Sequence, residues 1–112
     1  MPRAVGSRRA KEIILTGKPF SAEEAYEWGL VNKVCENDAL MDDVLETARA
    51  ISDNAPLAIY QAKKSMNVAT QVDLHNGYAF EIEAYNRLVT TEDRLEGVRA
   101  FNEKRKADFK GR

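Results

Sequence analysis

The sequence predicts a mainly α-helical fold with five to six helices and little or no β-structure. The first observation behind this prediction is composition: the strong helix formers Ala, Glu, Lys, Leu and Met are frequent, whereas runs of β-branched residues are nearly absent. The second is periodicity, because apolar residues recur at three- and four-residue spacing, which is the period of one helix face. Start and stop signals then divide the chain into separate helices.

The first two helices are marked by their ends. A first helix is expected over residues 5–15, because Gly17 is a typical residue just past a helix end. Ser21 and Glu24 have the spacing of a capping box, in which each side chain satisfies a backbone amide of the first turn, so a short second helix is expected there. The segment "LVNKVCE" that follows is the one strand or extended piece that the sequence indicates.

Three longer amphipathic helices are expected in the middle of the chain. The first starts near Asp38, and its core-facing stripe consists of Leu40, Met41, Val44, Leu45, Ala48 and Ile51. Pro56 fits the first turn of the second, whose apolar face consists of Ile59, Ala62, Met66 and Ala69. The third follows "QVD" and places on one side Leu74, Tyr78, Ile82, Tyr85 and Val89. Each stripe predicts a helix face that is buried against other parts of the protein.

The final helix is expected to begin at "TTED", where Thr90 and Asp93 have capping-box spacing. Its acidic residues come first and its cations gather at the end, in "EKRK". This order complements the helix macrodipole. Phe101 and Leu95 are interpreted as packing residues.

Length and composition limit the function. The 112 residues are expected to form a single helical domain, 1–112, and this length is sufficient for a core. The net charge of −1 gives no field that would attract nucleic acid or an acidic membrane. Cys35 is the only cysteine, which excludes an internal disulfide and a multi-thiol metal site. With no secretory signal and no apolar run of about 18 residues, a cytoplasmic protein without metal or membrane partner is expected.

Four stretches, in this order along the chain, are shared with a known family: "PRAVG", "AKEIILTGKPFSAEEAYEWGLVNKV", "NAPLAIYQAKKSM" and "TEDRLEGVRAFNEKRKADFKG". The combination of "LTG" with "A.EA...GLVN.V" and, later, "ED..EG..AF.EKR" is specific. Over essentially its whole length the chain resembles the carboxy-terminal half of the enoyl-CoA hydratase/isomerase (crotonase) superfamily. The resemblance implies that the chain forms the helical carboxy-terminal segment of the crotonase fold.

The resemblance also implies which chemistry is missing. In that family an amino-terminal spiral of strands and helices supplies the oxyanion-hole amides and the two glutamates that add water to an enoyl-CoA. No position here matches either glutamate, so no catalytic residue is assigned and no turnover by this chain alone is expected. The expected role is that of a C-terminal fragment, or of a short protein, in fatty acid or related acyl-CoA metabolism. The choice between hydratase and isomerase chemistry stays open.

Two residues are candidates for coenzyme A binding through the resemblance. In the family the last helices close over coenzyme A, often that of a neighbouring subunit, so acyl-CoA is expected as a substrate and a homo-oligomer as the assembly. Tyr85 matches the aromatic residue near the adenosine 3′-phosphate end, and Lys104 matches the lysine of "EKR". An aromatic face suits adenine, and an ammonium group suits phosphate. Simpler interpretations stay open: Tyr85 as a core residue, and Lys104 as a cation that complements the helix dipole.

Two other functional classes are alternatives to coenzyme A binding. A non-catalytic helical module could use exposed apolar faces to bind itself or a full-length relative. A helix-turn-helix DNA-binding protein is the other class, but the near-zero net charge and the absence of a concentrated basic recognition helix argue against it. The alternative to acyl-CoA binding is therefore self-association.

Overall fold

Six helices and no β-strand make up the protein. A computed structural model describes residues 1–112, and its helices are α1 (Pro2–Thr16), α2 (Ala22–Glu27), α3 (Leu40–Ser52), α4 (Pro56–Ala69), α5 (Leu74–Val89) and α6 (Glu92–Glu103). The predicted mainly α fold is confirmed. The segment "LVNKVCE" is not a strand, because a strand needs a second extended segment to pair its backbone groups and the chain contains none.

The chain divides into two compact units, Met1–Asp43 and Val44–Arg112. The first contains α1, α2 and the start of α3, and the second contains the rest of α3 with α4, α5 and α6. The prediction that residues 1–112 form a single domain stays a prediction. Both candidate site residues, Tyr85 and Lys104, belong to the second unit.

In the first unit, α1 is longer than predicted and contains a kink. It begins at Pro2 rather than near residue 5, because proline is well suited to the first helical turn, where its missing N–H would have no partner. Gly6, at φ 77° and ψ 156°, lies outside the helical region and interrupts the helix. The helix ends as predicted, with Gly17 in the left-handed conformation and its N–H donating to the Ile13 carbonyl over 3.1 Å.

The capping box predicted at the start of α2 is confirmed. The Glu24 N–H donates to Ser21 Oγ over 3.1 Å, and the Ser21 N–H donates to Glu24 Oε2 over 2.8 Å. Just after α2, the Trp28 ring contacts two side chains. The centroids of the Trp28 and Phe20 rings are 5.3 Å apart, and the Arg9 Cζ lies 4.7 Å from the Trp28 ring centroid. These aromatic and cation–π contacts join α2 to α1.

In the second unit, α4 and α5 pack against each other. Pro56 occupies the first turn of α4, as predicted. Asp73 caps α5, because its Oδ1 accepts a hydrogen bond from the Asn76 N–H over 3.0 Å. Between the two helices the Lys64 ammonium lies 5.2 Å from the centroid of the Phe80 ring.

The apolar side chains are far more exposed than the sequence predicted. The buried apolar residues are all alanines: Ala10, Ala25, Ala84 and Ala100. The expected stripe of α3 is exposed, with Met41 at 62% and Val44 at 51% of full exposure, and Phe101 reaches 84%. The core-facing stripe predicted for α3 is therefore not buried within this chain, and the predicted packing role of Phe101 is wrong. No helix is both long and apolar enough to cross a membrane.

Candidate functional site

The C-terminal helix α6 is capped differently from the prediction. Its N-cap is Thr91, whose Oγ1 accepts a hydrogen bond from the Arg94 N–H over 3.2 Å. Thr90 instead ends α5, so the predicted capping box of Thr90 and Asp93 is wrong. The adjacent threonines are equivalent in sequence, and the position of the chain reversal between α5 and α6 decides which of them caps. The Asp93 side chain therefore takes no part in capping α6.

Lys104 ends α6 in an unusual backbone conformation. At φ 54° it is the one non-glycine residue with a positive φ, and it occupies the left-handed cap position that glycine usually fills. Its N–H donates to the Phe101 carbonyl over 3.2 Å, and the Arg105 N–H donates to the Ala100 carbonyl over 3.1 Å. The chain reverses here, and the Lys104 side chain is exposed.

The residues after this reversal, 105–112, are named the C-terminal strap. Glu96, on α6, binds the near half of the strap. Its Oε1 and Oε2 accept hydrogen bonds from the Arg105 guanidinium over 2.6 Å and 3.1 Å, and Oε1 also accepts from the Asp108 N–H over 3.0 Å. The Glu96 side chain is only 17% exposed. The two-point geometry is the strong form of an arginine–carboxylate pair.

Asp93 binds the far half of the C-terminal strap. It is 3% exposed, and its Oδ1 and Oδ2 accept hydrogen bonds from the N–H groups of Lys110 and Gly111 over 2.6 Å and 2.8 Å. Its own N–H donates to the Arg112 carbonyl over 3.0 Å. Both carboxylate oxygens are thus satisfied by backbone amides, which is what a buried charge requires. Asp93 and Glu96 lie three residues apart, on one face of α6.

Hydrogen bonding and charge shift the pKa of Glu96, which binds the near half of the C-terminal strap. Hydrogen bonds from the Arg105 side chain and the Asp108 N–H, with the nearby positive charge, lower the pKa of Glu96 to about 2. The same pairing, with a further bond to Glu103, raises the pKa of the Arg105 guanidinium. The contact between Glu96 and Arg105 is therefore fully ionic at neutral pH.

Among the cations from residue 104 onward, Lys104 is the exception. The other four each form an ion pair: Arg105 with Glu96, Lys106 with Asp53, Lys110 with Asp108 and Arg112 with Glu92. The Lys104 ammonium forms none. Sequence reasoning treated "EKRK" as one cationic tip, whereas the structure separates one unpaired cation from its paired neighbours.

Tyr85 lies elsewhere in the second unit, on a groove between α4 and α5. The groove has a volume of about 570 Å³, and its lining includes Met66, Leu74, Tyr78, Glu81, Tyr85 and Leu88. The Tyr85 side chain is exposed rather than part of a core. Lys104 does not line this groove, so the structure does not bring the two predicted site residues into one pocket.

The match to known proteins covers the whole chain. The family model described as Enoyl-CoA hydratase/isomerase matches residues 1–112. The chain belongs to the enoyl-CoA hydratase/isomerase family. A short-chain-enoyl-CoA hydratase of Clostridium acetobutylicum is 42% identical over 113 residues, which is 100% of this chain and 43% of that protein. A mitochondrial enoyl-CoA hydratase of Pongo abelii is 38% identical over 110 residues, which is 98% of this chain and 38% of that protein.

Solved structures of the enoyl-CoA hydratase/isomerase family show the same arrangement of helices. The crystal structure of an enoyl-CoA hydratase from Bacillus anthracis superposes with a TM-score of 0.97 at 45% identity, covering 99% of this chain and 43% of that one. The chain thus spans less than half the length of the relatives it matches. The predicted family resemblance is confirmed.

The sequence of this enoyl-CoA hydratase/isomerase family member did not indicate the roles of two residues of the site. Asp93 was interpreted as a helix cap and Glu96 as a dipole partner, whereas both bind the C-terminal strap. Their partners are backbone amides up to eighteen positions away, as in the Gly111-to-Asp93 bond. Backbone donors carry no sequence signature. Outside the strap, burial raises the pKa of the Cys35 thiol, which keeps it protonated.

Proposed function

We propose that this chain supplies an acyl-CoA-binding part of an enoyl-CoA hydratase/isomerase-type protein in fatty acid or related acyl-CoA metabolism. Lys104 contacts the adenosine 3′-phosphate, and Tyr85 contacts the nucleotide through its ring. Family membership supports the ligand class. The single observation that carries the role of Lys104 is that its ammonium alone, among the C-terminal cations, has no ion pair.

An unpaired ammonium favours phosphate binding for a physical reason. A lysine already bound to a carboxylate must break that contact before it binds a ligand, and the broken pair offsets part of the gain. Lys104 avoids this cost. Its backbone is also held in one conformation by the two hydrogen bonds at the α6 cap, which lowers the entropy lost on binding.

Tyr85 supports the proposal from a second position. Tyr85 is 58% exposed on a groove whose other lining side chains are largely apolar, and such a surface suits a flat adenine ring. The groove does not contain Lys104. The two residues therefore contact separate parts of one ligand or the ligands of neighbouring subunits.

Replacing Lys104 by alanine is expected to weaken coenzyme A binding about five- to tenfold, because one solvent-exposed charge contact to phosphate is lost. The measurement is isothermal titration of coenzyme A into the wild type and the variant. Lys63→Ala is the matched control: it removes an exposed lysine on α4 that lies outside the C-terminal strap. Equal affinities of the wild type and Lys104→Ala would remove the proposed role.

A second candidate function is self-association through helical faces. The observation that favours it is the exposed apolar face of α3, together with Phe101 on α6. Exposed apolar side chains concentrated on one helix face are typical of protein–protein contacts. In this function the chain binds copies of itself or a longer relative and performs no chemistry.

Sedimentation velocity at about 10–100 µM is expected to show dimers or trimers of the wild type, since burial of apolar area drives association. Val44→Lys places a charge on the apolar face of α3 and is expected to shift the distribution to monomer. Glu46→Lys, on the same helix at a polar exposed position, is the control and leaves the distribution unchanged. A wild type that stays monomeric over this range contradicts self-association.

A further inference from the structure

We propose that Asp93 and Glu96 are positioning residues for Lys104: they hold the C-terminal strap on α6 and so fix the chain reversal that presents the Lys104 ammonium. This inference rests on the proposed contact between Lys104 and the 3′-phosphate. It adds two residues that touch no ligand themselves and act through the backbone of the strap.

Of the two carboxylates, Glu96 binds the part of the strap that is nearer to Lys104 in the sequence. It binds the guanidinium of Arg105, the residue directly after Lys104, and the N–H of Asp108. A carboxylate that binds two points of the strap prevents residues 105–108 from swinging away from α6. Because Arg105 follows Lys104 directly, this restraint limits rotation of the Lys104 backbone as well.

Asp93 fixes the other end of the strap. Each of its two oxygens accepts one backbone N–H, from Lys110 and Gly111. Asparagine has almost the same shape but only one acceptor oxygen, and its NH₂ group would face a donor. Asp93→Asn therefore removes one hydrogen bond and adds a donor–donor contact without creating a cavity.

Three further contacts, besides those of the two carboxylates, hold the strap in place. A β-carbon on Gly97 would lie only 3.6 Å from the Phe109 ring. The Phe109 ring therefore packs directly on α6. Gly111 approaches Pro56 at the start of α4, where a β-carbon on Gly111 would lie 3.7 Å from the proline ring. The Lys106 ammonium binds Asp53 at 2.8 Å. The strap is thus held on α6 and at two points beside it.

The conformation of Lys104 explains why restraint is needed. A residue with a β-carbon is disfavoured in the left-handed region. If the strap were detached, Lys104 would therefore leave its φ of 54° and adopt other conformations. The strap holds Lys104 there. A released strap allows the ammonium to sample many orientations, and part of its contribution to phosphate binding is lost as ordering entropy.

The test compares Asp93→Asn and Glu96→Gln with Glu92→Gln. Glu92 is the matched control because it is an exposed carboxylate beside Asp93 that binds the strap only through the Arg112 side chain. The first measurement is amide hydrogen exchange by NMR. Exchange is expected to speed up about tenfold at Lys110 and Gly111 in Asp93→Asn and at Asp108 in Glu96→Gln, because charge-assisted hydrogen bonds are lost. The control leaves all three amides unchanged.

The second measurement is the ratio of affinities for coenzyme A and 3′-dephospho-coenzyme A, with far-UV circular dichroism to verify helix content. The wild type is expected to prefer coenzyme A about five- to tenfold, and both variants are expected to reduce this preference to about twofold or less. Affinity for the dephospho compound stays unchanged, whereas general damage would lower both affinities. A chain ending at Lys106 removes the three donor amides, keeps both carboxylates and is expected to match the variants.

Three outcomes overturn the inference in distinguishable ways. Fast exchange with a preserved preference for coenzyme A shows that the strap does not position Lys104, and the proposed function stands. A wild type without any preference, matched by Lys104→Ala, shows that the phosphate contact itself is wrong. Unchanged exchange in both variants shows that the carboxylates do not hold the strap.

Discussion

The 112-residue chain produced alone is expected to hydrate crotonyl-CoA at least ~10⁴-fold more slowly than a full-length relative. Hydration requires amide donors placed where negative charge grows on the thioester oxygen, and loss of one such donor typically costs about 10²–10³ in rate. It also requires an acid and a base that act on one water, which contribute about 10²–10⁴. In the groove that holds Tyr85, the carboxylates are Asp73 and Glu81. The first is bound by the Asn76 N–H as a helix cap, which leaves Glu81 without a partner acid.

The measurement is the decrease in enoyl thioester absorbance at equal molar concentrations of this chain and a full-length relative. Glu81→Gln is the informative variant, because it removes the one carboxylate of the groove that does not cap a helix. Its rate is expected to equal the background rate of the wild-type chain. Robust turnover by the wild-type chain that is abolished in Glu81→Gln would show that this groove is catalytic and would contradict the expectation.

Asp93→Ala is expected to lower the free energy of unfolding by about 2–3 kcal/mol, the largest effect among single substitutions of the polar residues in α6. The substitution removes the acceptor for two part-buried N–H groups, those of Lys110 and Gly111. They must either stay unpaired or recover water by detaching the C-terminal strap, and detachment gives up the packing of Phe109 on Gly97. Either response costs free energy.

Urea unfolding followed by circular dichroism at one fixed protein concentration measures this effect. Glu92→Ala is the control, since it removes an exposed ion pair with Arg112 at 2.9 Å and is expected to cost less than about 1 kcal/mol. A loss for Asp93→Ala no larger than that of the control would show that the buried carboxylate contributes little to stability.

Local signals in the sequence predicted the helices well. The capping box of Ser21 and Glu24, the left-handed glycine at position 17 and the first-turn Pro56 are all confirmed. Each acts within one helical turn, so the residues that decide the structure are neighbours in the sequence.

The errors arose where the deciding partner is distant. Thr90 and Thr91 are equally good caps in isolation, and the turn between α5 and α6 decides between them. Asp93 looked like a first-turn acid, but its partners are amides of residues 110 and 111. No pattern of side chains marks a backbone donor, so neither role could be predicted locally.

The predicted burial failed for a related reason. The spacing of Met41 and Val44 correctly predicted an amphipathic helix, since they lie on one face of α3. Periodicity shows which face is apolar but not what covers it, and in this chain both side chains are more than half exposed. The predicted roles of Tyr85 and Lys104 stay predictions.

The way in which α6 binds the C-terminal strap determines which substitutions the strap can tolerate. Asp93 and Glu96 bind N–H groups of residues 108, 110 and 111, which nearly every amino acid possesses. Side chains at positions 108 and 110 can therefore vary widely during evolution without loosening the attachment, and proline, which lacks that hydrogen, is the one residue incompatible with it at either position.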